Sequence, residues 1–232
     1  MSIKKHIPNA ITSLNLISGM AGIFFVLDGR ILYATYFIIA AAIFDFLDGM
    51  VARLLKVHSE IGKQLDSLAD MVTFGVLPSF VIFKMLMDAF PGSHIPFLAF
   101  FIAVQSAMRL AKFNIDNRQT DQFIGVPTPA NALLLCTLPF LANKFGWAEG
   151  FISNGYILLG FSILMALMLT IELPLIALKF KNFGIKDNVF RYITILIGLI
   201  SIISLGIAGI PFVIMGYILL SLVESWIKPH EI

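Results

Sequence analysis

Long apolar runs dominate this chain, separated by short breaks that carry charge, glycine or proline. A helix that crosses a bilayer needs roughly 20 mostly apolar residues. Eight runs near that length succeed one another, at residues 10–27, 31–54, 62–87, 95–111, 128–142, 152–178, 192–208 and 210–227. The expected fold is an all-α integral membrane protein, an eight-transmembrane-helix bundle. Only a very tight turn fits between the seventh and eighth runs, around Gly209. The first run comes after Lys4, Lys5 and His6 as a secretory leader would, but no small-residue cleavage site succeeds it and the run holds Asn15, so it is expected to remain as a span. No linker, low-complexity tract or internal repeat divides residues 1–232, and one domain is expected.

Composition agrees with the pattern. Of 232 residues, 59% are hydrophobic and 13% charged, about half the charged share of a water-soluble globule. The net charge of +2 gathers no nucleic acid, so no such partner is expected. How the charge is distributed says more. With eight spans, Lys4, Lys5, Arg53, Lys56, Lys63, Arg109, Lys112, Arg118, Lys179, Lys181, Lys186, Arg191 and Lys228 share one side, against Arg30, Lys84 and Lys144 on the other. By the positive-inside rule both termini are cytoplasmic, which predicts a multi-pass protein of the cell membrane, the cytoplasmic membrane in bacteria. Cys136 is the single cysteine, so no intrachain disulfide staples the fold.

The chemistry concentrates at the end of the second run and the start of the third. Charged groups in a span cost at least roughly 2.5–3.5 kcal/mol near its centre, so such acids usually face a cavity and serve a function. Asp45, Asp48, Gly49, Ala52 and Arg53 recur at the spacing of one helical face, and Gly62, Asp66 and Asp70 recur at i, i+4 and i+8. The short connection makes the two helices antiparallel neighbours, so the acidic faces can oppose each other below the cytoplasmic surface. Four carboxylates brought together repel one another unless a cation is present. Hard oxygen donors without cysteine or histidine select Mg²⁺, Mn²⁺ or Ca²⁺, and two such ions can clamp a phosphoryl group. Gly49, Ala52 and Gly62 leave room for a ligand against the backbone, although close helix packing is an equal reading of Gly62 alone. Arg53 offers a fork of donors to phosphate, with an interfacial anchor as its other reading. Asp66 and Asp70 could also complement a helix dipole, but packing and dipole readings do not require four acids on two facing stripes. Intramembrane acids also mark ion paths, so a cation or proton transporter is the alternative from a different class; it predicts inverted repeats and mid-membrane helix breaks, and neither is visible.

Asp45, Asp48, Gly49, Ala52, Arg53, Gly62, Asp66 and Asp70 stand at every position of the pattern D-x2-D-G-x2-A-R-x8-G-x3-D-x3-D, and the segment thereby resembles the CDP-alcohol phosphatidyltransferases. That resemblance covers residues 45–70 and implies transfer of a phosphatidyl or similar group from a CDP-activated lipid to an alcohol, with release of CMP. It implies that Asp45, Asp48 and Asp66 hold one Mg²⁺ or Mn²⁺, that Asp45, Asp66 and Asp70 share a second, and that Asp70 and Asp66 are catalytic, Asp70 as general base. It also implies that Gly49 and Ala52 lie against the cytidine nucleotide, that Arg53 contacts phosphate, and that the assembly is a homodimer.

Two further regions resemble the membrane-bound branch of that family that uses CDP-diacylglycerol and L-serine. One runs from Pro8 to Gly19, where Asn9, Thr12 and Asn15 could line a nucleotide pocket or simply start a helix after Pro8. The other comprises Arg109, Lys112 and Asn114, then Gly125, Pro127, Thr128, Pro129 and Ala130. A serine acceptor brings a carboxylate and an ammonium; Arg109 is expected to hold the carboxylate with Lys112 assisting or anchoring. The same chemistry with glycerol 3-phosphate or inositol phosphate is the nearest alternative. Glu172, beside Pro174, and His58 receive no role.

Overall fold

The structure, a computed structural model, describes residues 6–57, 59–115, 123–176, 184 and 188–227. Lys4, Lys5, His58, Arg118, Lys179, Lys181, Lys186 and Lys228 lie outside the described residues. Among the described residues, ten α-helices and one two-stranded ladder succeed one another. Helix α1 (His6–Leu27) turns through Gly29, at φ 82°, into α2 (Leu32–Leu55). Lys56, at φ 53°, ends α2 in the left-handed conformation, with its N–H on the Ala52 and Arg53 carbonyls. The Ser59 hydroxyl accepts from the Gly62 N–H at 3.2 Å and starts α3 (Glu60–Asp70), the kind of cap a helix needs for its first free amides.

From α3 the chain passes through a π-helical turn, Met71–Val76, into α4 (Leu77–Ala89). Ile95–Phe100 forms a 3₁₀ turn that leads into α5 (Phe101–Ile115). Next come α6 (Thr128–Lys144), α7 (Gly146–Ile152), α8 (Gly155–Met168), α9 (Val189–Leu205) and α10 (Ile210–Ile227). Strands β1 (Phe123–Ile124) and β2 (Pro174–Leu175) pair antiparallel.

Four helical stretches, His6–Leu27, Glu60–Ala89, Ile95–Ile115 and Val189–Ile227, are long and apolar enough to cross a membrane; a fifth counts if α7 and α8, bent by 79°, form one broken span. The last stretch folds back on itself. A Cβ on Gly216 would touch Ile197, and one on Gly198 would touch Val213, so α9 and α10 lie side by side across a turn at Gly206–Gly209, where the tight connection is expected. The outward face of this hairpin is apolar, with Leu196, Leu199 and Ile203 exposed, as a lipid-facing surface would be.

The sixth expected span, 152–178, is corrected. Its helix α8 ends at Met168; residues 169–176 form a strap in which β2 pairs with β1 and Ile176 is held from α10. The Ile176 N–H donates to Ser221 Oγ at 3.2 Å, and Tyr217 Oη donates to the Ile176 carbonyl at 3.0 Å. Pro174 has no amide N–H to continue a helix, and Glu172 is exposed in the strap. Gly125 crosses it at φ 74°, and a Cβ there would meet the Leu169 carbonyl oxygen at 2.8 Å and that of Ile171 at 3.0 Å. Gly125→Ala is therefore expected to cost about 2 kcal/mol, visible as a lower melting temperature in detergent.

Two apolar clusters hold the bundle. One joins α1, α2, α4 and α6 through Val26, Ile38, Phe74, Leu77, Val81 and Cys136. The larger one surrounds Leu134, Leu135, Ile82, Leu86, Ile102 and Met165. Polar positions near the start of α1, the end of α2, α3 and the end of α5 fall outside both clusters.

Candidate active site

The aspartates meet as their spacing predicts. Carboxylate oxygens of Asp45, Asp48 and Asp66 lie within 4.8 Å of one another. Helical repetition puts Asp45 and Asp48 on one face of α2, and the Ser59-capped α3 turns Asp66 and Asp70 towards them. Asp70 is within hydrogen-bonding reach of Asp45 and is buried. Directly after it the backbone widens into the π turn, a feature frequent at functional sites.

Helix α1 holds two of the carboxylates in place. The Thr12 hydroxyl donates to Asp48 Oδ2 at 2.5 Å, with the Pro8 carbonyl as a second acceptor at 3.0 Å. Asn15 Nδ2 donates to Asp70 Oδ1 at 3.1 Å, while Thr73, in the π turn, donates to the Asn15 carbonyl at 3.2 Å. Gly19 allows this approach, since a Cβ there would come within 2.9 Å of the Thr73 Cα. Thr12 and Asn15 thus touch the acidic cluster directly.

Beside the cluster lies a cavity of about 240 Å³ lined by Pro8, Asn9, Thr12, Asp48, Gly49, Ala52, Val57, Ser59, Gly62, Lys63 and Asp66. Asn9, Thr12, Gly49, Ala52 and Gly62 are brought to one wall system, whereas Asn15 is fully buried and outside the lining. A side chain on Gly62 would press against Asn9 Oδ1 at 3.0 Å, and one on Gly49 would meet Arg53 Nη1 at 3.4 Å. Gly62 therefore serves helix approach and cavity space together, and the exposed Arg53 folds back over Gly49. An apolar-lined hollow near Trp147, Phe151 and Phe212 contains no titratable side chain and lies away from the aspartates.

The predicted acceptor residues separate. Arg109 is 8% exposed, interacts electrostatically with Asp70, and has a buried Nε with no hydrogen-bond partner. Lys112 is exposed. Sequence reasoning missed Lys63 and Ser67. Lys63 lines the cavity and donates from Nζ to the Asn114 carbonyl at 3.2 Å, and Asn114 Nδ2 donates to Ser67 Oγ at 2.8 Å. Together they clasp the end of α5 to α3. Their only sequence signal was nearness to the aspartates.

The residues fit divalent cations. The donors are carboxylate oxygens, which suit Mg²⁺, Mn²⁺ or Ca²⁺, and Asp66 Oδ1 is buried with no protein partner. Such an oxygen is costly to bury unless something binds it.

Comparison with known proteins points the same way. Residues 5–178 match the family described as CDP-alcohol phosphatidyltransferase. A CDP-diacylglycerol–serine O-phosphatidyltransferase of Helicobacter pylori is 33% identical over 223 residues, covering 95% of this chain and 90% of the relative. The enzyme of the same name from Mycobacterium tuberculosis is 30% identical over 240 residues, with 97% and 81% covered. That of Bacillus subtilis is 37% identical over 153 residues, with 66% and 86% covered.

Proposed function

Since the chain belongs to the CDP-alcohol phosphatidyltransferase family, we propose that it is a phosphatidylserine synthase, transferring the phosphatidyl group of CDP-diacylglycerol to the hydroxyl of L-serine and releasing CMP. The observation that carries this reading is the facing of Asp45, Asp48 and Asp66 at the edge of a cavity walled by Asn9, Gly49, Ala52 and Gly62, with Asp70 next to Asp45. The relatives named for the serine reaction support serine as the acceptor.

Each group has a role in that scheme. The cavity takes the cytidine nucleotide, with Gly49 and Ala52 against it and Arg53 on phosphate. Asp70 accepts the serine hydroxyl proton as the oxygen attacks the phosphorus that bears diacylglycerol; the bond from that phosphorus to the CMP oxygen breaks, and CMP leaves with the electron pair. Asn15 orients Asp70, and Thr12 orients Asp48. Arg109 holds the serine carboxylate, while Lys112 anchors the end of α5. When bound, one dication on Asp45, Asp48 and Asp66 and a second on Asp45, Asp66 and Asp70 supply electrostatic stabilisation of the leaving phosphate. The membrane arrangement we favour has eight spans, with both termini and the aspartates at the cytoplasmic face of the cell membrane, and a homodimer as the assembly.

The purified full chain, given CDP-diacylglycerol, Mn²⁺ or Mg²⁺ and labelled serine, should form labelled phosphatidylserine and CMP in equal amounts, and EDTA should stop both. CMP release that requires glycerol 3-phosphate or inositol phosphate instead would overturn the acceptor. Ion flux in liposomes without CMP release would return the protein to the transporter class.

A further inference from the structure

Among the described residues, the buried side-chain atoms without a hydrogen-bond partner are Asn15 Oδ1, Asp66 Oδ1, Ser106 Oγ, Arg109 Nε, and both Nδ2 and Oδ1 of Asn131. The first two belong to the acidic cluster. The other four lie on α5 and α6, which both pack on the π turn directly after Asp70. Ser106 and Asn131 are fully buried. A fully buried amide with neither end paired is costly, and an unexplained one calls for a missing partner.

Helix geometry puts these groups close to one level. Ser106 abuts the π turn, because a Cβ on Gly75 would lie 3.0 Å from the Ser106 Cβ. Arg109 comes one turn later on the same buried face of α5. The start of α6 is tied to that depth through α8: Val126 N–H donates to the Met168 carbonyl at 2.9 Å, and Thr170 Oγ1 donates to Gln105 Oε1 at 2.8 Å. Asn131 is one turn into α6, and one turn beyond it Leu134 and Leu135 share an apolar cluster with Ile102 of α5. One helical turn from that apolar layer, on the side of Asp70, stand Ser106 on α5 and Asn131 on α6.

The unpartnered atoms comprise two donors, Arg109 Nε and Asn131 Nδ2, and two oxygens that can accept, Asn131 Oδ1 and Ser106 Oγ. A carboxylate takes two donors and an ammonium needs acceptors, so the set complements the zwitterionic end of an α-amino acid. A phosphorylated polyol would use the donors but offer the two oxygens only neutral hydroxyls in place of a cation. We infer that Asn131, seconded by Ser106, reads the ammonium group of the acceptor while its amide nitrogen joins Arg109 on the carboxylate, making Asn131 a specificity-determining residue of the acceptor site. This inference rests on the proposal that serine is the acceptor.

The test compares L-serine with 3-hydroxypropanoate, which keeps the hydroxyl and carboxylate and lacks the ammonium, using the full chain in detergent with CDP-diacylglycerol and Mn²⁺. Asn131→Leu should raise the KM for serine at least about tenfold and shrink the preference for serine over 3-hydroxypropanoate by a similar factor, while the KM for CDP-diacylglycerol stays within about twofold. Ser106→Ala should shrink that preference by about threefold. Because Asn131→Leu keeps the branched heavy-atom outline of the side chain while removing an unpaired buried amide, it should melt no lower than the parent chain. An unchanged serine preference in both variants overturns the inference, and so does a joint rise of both KM values with a lower melting temperature, which marks a structural amide. If the parent chain itself uses no serine, the acceptor assignment falls and this inference falls with it; a parent active on serine beside an indifferent Asn131→Leu sinks the inference alone.

Discussion

Asp70→Asn is expected to lower the rate of phosphatidyl transfer roughly a thousandfold, about 4 kcal/mol of barrier, while CDP-diacylglycerol and Mn²⁺ still bind. Asp70 stands outside the trio of oxygens that approach within 4.8 Å of one another, so its loss leaves a three-carboxylate site for one cation. The substitution keeps shape, and the new amide oxygen can still accept from Asn15 Nδ2, which now donates to Asp70 Oδ1 at 3.1 Å. What disappears is the ability to take the acceptor's proton, together with the charge of one of the three groups proposed for the second dication. Single-turnover CMP release measured beside retention of labelled donor separates these functions. If donor binding vanishes together with turnover, the main role of Asp70 is to hold the metals or the helices.

Asp66→Asn should behave differently. Asp66 contributes an oxygen to the trio and has a buried oxygen without a partner, so removing its charge weakens the cation site itself. Mn²⁺ affinity, donor affinity and turnover are expected to fall together, turnover by at least about a thousandfold, with partial recovery at high Mn²⁺. Stability of the metal-free protein should move the opposite way. Carboxylates within 4.8 Å of one another repel, by about 3.5 kcal/mol or more per pair at an effective dielectric of roughly 20, and asparagine relieves that repulsion without changing volume. The metal-free variant is therefore expected to melt no lower than the parent chain. Electron paramagnetic resonance of Mn²⁺ titrated into both proteins gives the first readout, and thermal unfolding with EDTA gives the second. Unchanged Mn²⁺ binding in Asp66→Asn would remove Asp66 from the cation site.

Much of this site could be read without coordinates because its main parts lie close together in sequence. The helical repeat decides that Asp45 and Asp48 share a face and that Asp66 and Asp70 share another, and the short stretch between Arg53 and Gly62 leaves the two helices little freedom except to run side by side. The roles of Thr12 and Asn15 were less legible. Their spacing allows a nucleotide wall, but the hydroxyl and amide donate to Asp48 and Asp70, partners 36 and 55 residues away. The sixth run misled for a local reason: hydropathy stays high past Met168, yet the carbonyls of Met168 and Leu173 accept from the Val126 and Gly125 N–H groups instead of continuing a helix.

Sequence alone determined that the chain is helical and apolar, and that one pair of neighbouring helices carries an acidic seam, since both derive from composition and a fixed helical period. Tertiary structure decided which helices flank that seam, how the π turn after Asp70 meets α5 and α6, and why Arg109 Nε and the Asn131 amide remain without protein partners. Helix faces that meet lipid and those that meet protein are both apolar, so hydrophobicity does not tell them apart, and neighbour and register emerge only when the whole bundle packs.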